Sequence, residues 1–115
     1  MSKLNAFLTY KDEKENEYKF ELYSLDHEFS ESWGGIYIFT KRDTSENPPS
    51  HRLLYIGKAK SFDSRFDNHE KIKESKEHGI NCVGVYKEND SPKRNSIETS
   101  LIESNKPKLN IQNNS

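Results

Sequence analysis

Two tyrosines, Tyr37 and Tyr55, stand in runs that otherwise read as buried strand: Gly35-Ile36-Tyr37 and its mirror image Tyr55-Ile56-Gly57. A tyrosine so placed is either core packing or a hydroxyl aimed into a site. Other polar residues also fall where apolar ones belong. On a helix read from about 62 to 77, Phe62, Arg65, Phe66 and His69 share one face. On a second helix, Ile97, Leu101 and Ile102 define the apolar arc, and Glu98 falls inside it while Glu103 points away. Each has a structural explanation. Arg65 can pack its stem and keep its head in solvent, His69 can be a satisfied or surface histidine, and Glu98 can be ion-paired with Arg65 or Lys58. A buried carboxylate needs a partner, a proton or a metal. Every one of these readings puts Glu98 against the sheet and the first helix.

The chemistry of such a set is narrow. It holds two phenols, Lys58 just after the second strand, an arginine, a histidine and one carboxylate. Spacing supports no Cys/His metal cluster, no Ser-His-Asp set and no glycine-rich phosphate loop. One carboxylate suits Mg²⁺, which keeps most of its waters and takes few protein ligands. Cationic and phenolic groups around that ion suit an anionic substrate, with a phosphodiester as the obvious candidate.

The elements that must position these groups are legible from Trp33 onward. Residues 35–40 and 52–57 read as strands joined across the loop Thr44-Ser45-Glu46-Asn47-Pro48-Pro49-Ser50. Alternation puts Gly35, Tyr37 and Phe39 on one face with Leu53, Tyr55 and Gly57, and Ile36, Ile38, Leu54 and Ile56 on the other. Residues 81–87, with Val83 and Val85 alternating, supply a third strand. Ser61 reads as N-cap of the first helix and Gly79 as its end. Ser91-Pro92 opens the second helix, which runs to about Ser104 and is stopped by Pro107. The expected fold is α+β: a small three-stranded antiparallel sheet flanked by helices, in the order β-β-α-β-α. Residues 1–32 form an acidic N-terminal extension in which Tyr18, Phe20 and Leu22 suggest one extra strand over 17–23. Residues 33–115 form the domain proper.

Composition bounds the function. A chain of 115 residues is one domain. Mean hydropathy is −1.09, but the net charge is only −1 and thirteen Tyr, Phe and Trp supply apolar area, so a folded and highly soluble domain is expected. The single cysteine, Cys82, excludes an internal disulfide. No apolar run approaches membrane-span length and no signal-peptide core opens the chain, so a cytoplasmic location away from membranes is expected. Residues 1–32 carry four Lys/Arg against eight Asp/Glu, and the remainder fourteen against eleven. A polyanion site must therefore be local or completed by a partner. Lys41, Arg42, Arg52, Lys60, Lys71, Lys73, Lys93 and Arg94 are the candidates for a phosphate-contacting rim, or else solvate helices and loops.

Taken in order, Gly35-Ile36-Tyr37, Tyr55-Ile56-Gly57-Lys58, Arg65, Glu98 and the ending Lys106-Pro107-Lys108-Leu109-Asn110 resemble the motifs of the GIY-YIG endonuclease superfamily. The resemblance covers roughly residues 33–112. It implies a metal-dependent endonuclease that hydrolyses DNA phosphodiesters to 5′-phosphate and 3′-hydroxyl ends. It further implies that Glu98 holds a single Mg²⁺ or Mn²⁺ and that Tyr37 is general base or aligns the attacking water. By the same resemblance Tyr55 supports the water and phosphate, Arg65 stabilises charge on phosphorus, and Lys58 assists electrostatically. His69 matches a histidine of some members that helps deprotonate the tyrosine, while Gly35, Gly57 and Asn110 brace the site. The connection from Ile38 to Leu54 is longer than the family's usual hairpin and either contacts DNA or is a surface loop. No added DNA-binding domain is visible, which leaves a homodimer or a partner protein to supply target choice. The alternatives are an RNA nuclease, or a non-cleaving nucleic-acid or protein-interaction module on the same fold.

Overall fold

A computed structural model describes residues 3–63 and 70–113. The strand expected from Tyr18, Phe20 and Leu22 forms as β2 (Glu17–Ser24), and it pairs with a strand that was not expected, β1 (Lys3–Lys11). Leu4, Ala6, Leu8 and Tyr10 are the half-buried positions of β1, so the period-2 pattern was present. It is blurred by Phe7, an apolar residue at an outward position that is 50% exposed, while Asn5 has φ 52° at an irregularity in the β1–β2 register. β3 (Gly35–Asp43), β4 (Ser50–Ala59) and β5 (Cys82–Lys87) complete one antiparallel sheet in the order β1-β2-β5-β3-β4. The expected three-stranded sheet of a β-β-α-β-α core is therefore incorrect. The sheet has five strands, because β2 pairs with β5 from Glu21↔Val85 to Ser24↔Cys82 and brings the acidic leading segment into it.

Three helices lie among the described residues: α1 (Glu70–Glu77), α2 (Ser91–Asn105) and α3 (Lys108–Asn113). The helix expected from residue 62 does not begin there. Phe62 is non-helical, donating its N–H to Trp33 O at 3.0 Å while its carbonyl accepts from Glu31 N at 2.6 Å. The Ser61 hydroxyl donates to Asp63 Oδ2 at 2.8 Å. Gly79, at φ 87°, follows the end of α1 as expected. The cap of α2 is Asp90, one residue before the expected Ser91; its carboxylate accepts from Lys93 N at 3.0 Å. Lys106 ends α2 in the left-handed conformation, its N–H donating to Ile102 O at 2.8 Å.

The two faces of the sheet bury different residues. Ile97 and Leu101 of α2 pack on Ile36, Ile38, Ile56 and Phe20. On the other face Phe29, Phe62, Ile80 and Leu109 cover Tyr37, Phe39, Leu54, Val83 and Val85. One expectation is inverted here. Phe39 faces Tyr55 and Thr40 faces Leu53, which leaves Leu54 as the extra residue of a bulge. Leu53 thus packs with the isoleucines and Leu54 with the tyrosines, the reverse of strict alternation. Among the described residues no helix is long and apolar enough to cross a membrane.

Candidate active site at the β4 edge

Tyr37 is 2% exposed and belongs to the core as well as to the candidate site. Its ring lies directly over Gly57, its cross-strand partner, where even a Cβ would collide with the ring and hydroxyl. Glycine at 57 is therefore what lets the phenol extend across β4. Tyr55 lies on the same face, 6.0 Å from Tyr37 between ring centroids, with the planes tilted by 36°. Gly35 is held just as closely, since a Cβ there would overlap Tyr86 O in the neighbouring strand.

Glu98 approaches the same edge from the other side of the sheet, on the turn of α2 that carries Ile97 and Leu101. Its side chain is 19% exposed, and Oε1 lies 3.8 Å from Lys58 Nζ, whose side chain is 45% exposed. Lys58 also donates to Asn95 Oδ1, one turn earlier on α2. Asn110 closes the edge. Its Oδ1 accepts from Ile56 N and its Nδ2 donates to Ile56 O, both at 2.8 Å, so one buried side chain satisfies a backbone position that has no further strand beside it.

Electrostatics join these groups. Burial pushes the Tyr37 hydroxyl well above its ordinary ionisation range, and the neighbouring Tyr55 and Glu98 push it further. Burial likewise raises the Glu98 carboxyl above the usual carboxylate value, only partly countered by Lys58. Tyr37, Tyr55, Lys58 and Glu98 are thus gathered at the Gly57–Lys58 stretch of β4. Arg65 and His69, with Phe66, lie outside the described residues. Their inferred shared face also loses its Phe62 marker. That ring packs with Phe29, Trp33 and Tyr37 at centroid distances of 5.9, 5.4 and 6.4 Å.

The basic residues differ in exposure and in partners, and the side chain of Lys71 lies outside the described ones. Lys41 and Arg52 face each other across β3 and β4 and are exposed. Arg42 is half-buried near His51 and Cys82, with its Nε buried and without a hydrogen-bond partner. Arg94 is buried and donates from Nη1 to Glu88 O at 3.1 Å, so it braces the β5–α2 connection instead of meeting a phosphate. Lys60, Lys73 and Lys93 are exposed, and Lys93 lines a depression of about 280 Å³ with Tyr18, Tyr86 and Glu88. Asn95 escaped the reading of the sequence, although its position three residues before Glu98 puts the two on one helical face.

Among the described residues no three His, Cys, Asp or Glu side chains gather as a metal-binding group. Glu98 fits a different kind of site. One under-compensated carboxylate, in a shallow and partly wet position, suits a magnesium ion that keeps most of its waters and takes further oxygens from a phosphate. No protein-family model, curated protein or solved structure matches the chain.

Proposed function

We propose that the chain is a metal-dependent endonuclease that hydrolyses DNA phosphodiesters, leaving 5′-phosphate and 3′-hydroxyl ends. The observation that carries this reading is the half-buried Glu98 beside Lys58 of β4, next to the Gly57 that lies under the Tyr37 ring. Tyr37 packs on one face of the sheet and α2 on the other, and the charge of Glu98 adds to the burial and the Tyr55 neighbour that raise the phenol. The order of the surrounding motifs, which resembles the GIY-YIG endonucleases, supplies the reaction class.

Each residue has a role in this reading. Glu98 holds Mg²⁺ or Mn²⁺, which when bound supplies positive charge to the scissile phosphate and leaving oxygen. Tyr37 orients the attacking water through its hydroxyl. With its ionisation pushed up, it removes a proton only as cationic charge gathers beside it. Arg65 and His69 are the proposed sources of that charge within the chain. Tyr55, packed beside Tyr37 on the same face, supports the water and the phosphate, and Lys58 adds positive potential beside the carboxylate. Cytosol, where DNA and magnesium are both at hand, is the proposed setting. A second copy or a partner protein supplies target choice.

Supercoiled plasmid incubated with Mg²⁺, Mn²⁺ or EDTA tests the proposal. Metal-dependent nicking, ends that DNA ligase reseals, and loss of both in a folded Glu98→Gln protein are expected. Nicking at the wild-type level by that variant would remove the proposal. Binding without nicking by the wild-type chain would favour a non-cleaving module.

A further inference from the structure

Lys58 lies against two side chains of α2. Asn95 Oδ1 accepts a hydrogen bond from its ammonium, while Glu98 Oε1 stands 3.8 Å away, at the outer limit of an ion pair. Asn95 and Glu98 lie three residues apart, so they are neighbours on one helical face and Lys58 reaches both from β4. The ammonium is thus bonded to the neutral partner and only near the charged one. Coulomb attraction alone would favour the opposite arrangement.

We infer that Asn95 is a positioning residue which holds the Lys58 ammonium off the carboxylate of Glu98 and so keeps that carboxylate open to a divalent cation. This rests on the reading of Glu98 as the metal ligand. A tightly seated lysine and a metal ion would compete for the same oxygens, since both are cations that need them. A lysine bonded to Asn95, with its ammonium 3.8 Å from Glu98 Oε1, leaves the oxygens accessible and still places positive charge where a phosphate would approach. The tether contributes little to folding, because Lys58 is largely exposed and such bonds exchange readily with water.

Manganese binding by calorimetric titration tests this with four proteins: wild type, Asn95→Ala, Lys58→Met and the double variant. Asn95→Ala releases Lys58 onto Glu98 and weakens Mn²⁺ binding about fivefold, the scale of one exposed charge contact. Lys58→Met removes the competitor and tightens binding by a similar factor. In the double variant the Asn95 effect disappears, and affinity equals that of Lys58→Met alone. Equal affinity in wild type and Asn95→Ala would overturn the inference, as would the same weakening in the Lys58→Met background. Failure of the wild-type chain to bind Mn²⁺ would instead remove Glu98 as metal ligand, a separate outcome.

Discussion

Two carboxylates of this chain show opposite uses of the same group. Asp12, in the turn between β1 and β2, accepts from Lys14 N and Asn16 N at 2.9 Å, from Asn16 Nδ2 at 3.0 Å and from the Tyr18 hydroxyl at 3.3 Å. Burial opposes its charge, but these bonds outweigh it and hold the carboxyl below its usual range. Glu98 is half-buried with a loose lysine at 3.8 Å, and burial leaves its carboxyl raised. The charge of Asp12 is consumed in shaping a turn. That of Glu98 is under-compensated, the condition in which a carboxylate gains most from an added cation.

The largest expected effect separates the two regions by activity. Tyr37→Phe lowers plasmid nicking by about 10²-fold or more, because the water loses the hydroxyl that orients it. Asp12→Asn leaves nicking per folded molecule unchanged while lowering the melting temperature. Rates normalised to the folded fraction by circular dichroism make the comparison, and a Tyr37→Phe protein as active as wild type would erase the distinction.

Asparagines extend the comparison to the backbone. Asn110→Ala leaves a buried N–H and C=O of Ile56 without their partner and costs about 1–3 kcal/mol in urea unfolding. Asn81 makes the same paired contact with Arg42 N and O, but at an exposed position where water replaces it. Asn81→Ala therefore costs about 0.5 kcal/mol or less. Equal losses would mean that the β4 edge is no more closed than the distal end of the hairpin.

The smallest effects are in pH dependence, where the two carboxylates have opposite signs. The folded-state pKa of Asp12 lies below its unfolded value. Its contribution is complete above the ordinary carboxylate range and is lost as pH falls through the lowered folded value. The folded-state pKa of Glu98 lies above its unfolded value, so the folded state holds the proton more tightly. Stability then declines as pH rises from the ordinary carboxylate value through the raised one. In metal-free buffer Glu98→Gln therefore gains on wild type toward neutral pH and loses that gain in acid. Asp12→Asn does worst at neutral pH and converges on wild type in acid. Urea unfolding across that range measures both slopes.

How much of this was legible depends on the local rule each residue obeys. Tyr37 and Tyr55 share a face because Tyr37 pairs with Gly57 and Tyr55 lies two residues from that glycine on an alternating strand, and Glu98 lies between Leu101 and Ile102 because helical spacing puts it there. Leu53 and Leu54 could not be placed, since the bulge between them and β3 inverts the pattern without a marker residue. Phe62 was read as helical because its spacing to Arg65 and Phe66 is that of a helix. Its backbone instead bonds to Trp33 and Glu31, contacts with a segment some thirty residues away that no local pattern reports. β1 carries an alternating pattern, but polar composition and the apolar Phe7 at an outward position hide it, so the acidic segment reads as an appendage. The Asn95–Lys58 bond joins a helix to a strand through two exposed polar residues, whose types alone predict only solvation.

The most direct measurement of the central claim is paramagnetic broadening of backbone amide signals on titration with Mn²⁺. Glu98 as the ligand beside Tyr37 predicts that Gly57, Lys58, Glu98 and Tyr37 broaden first, with the Asp12 turn unaffected and Glu98→Gln abolishing the effect. Broadening centred on the Asp12 turn, or unchanged by Glu98→Gln, would contradict the account.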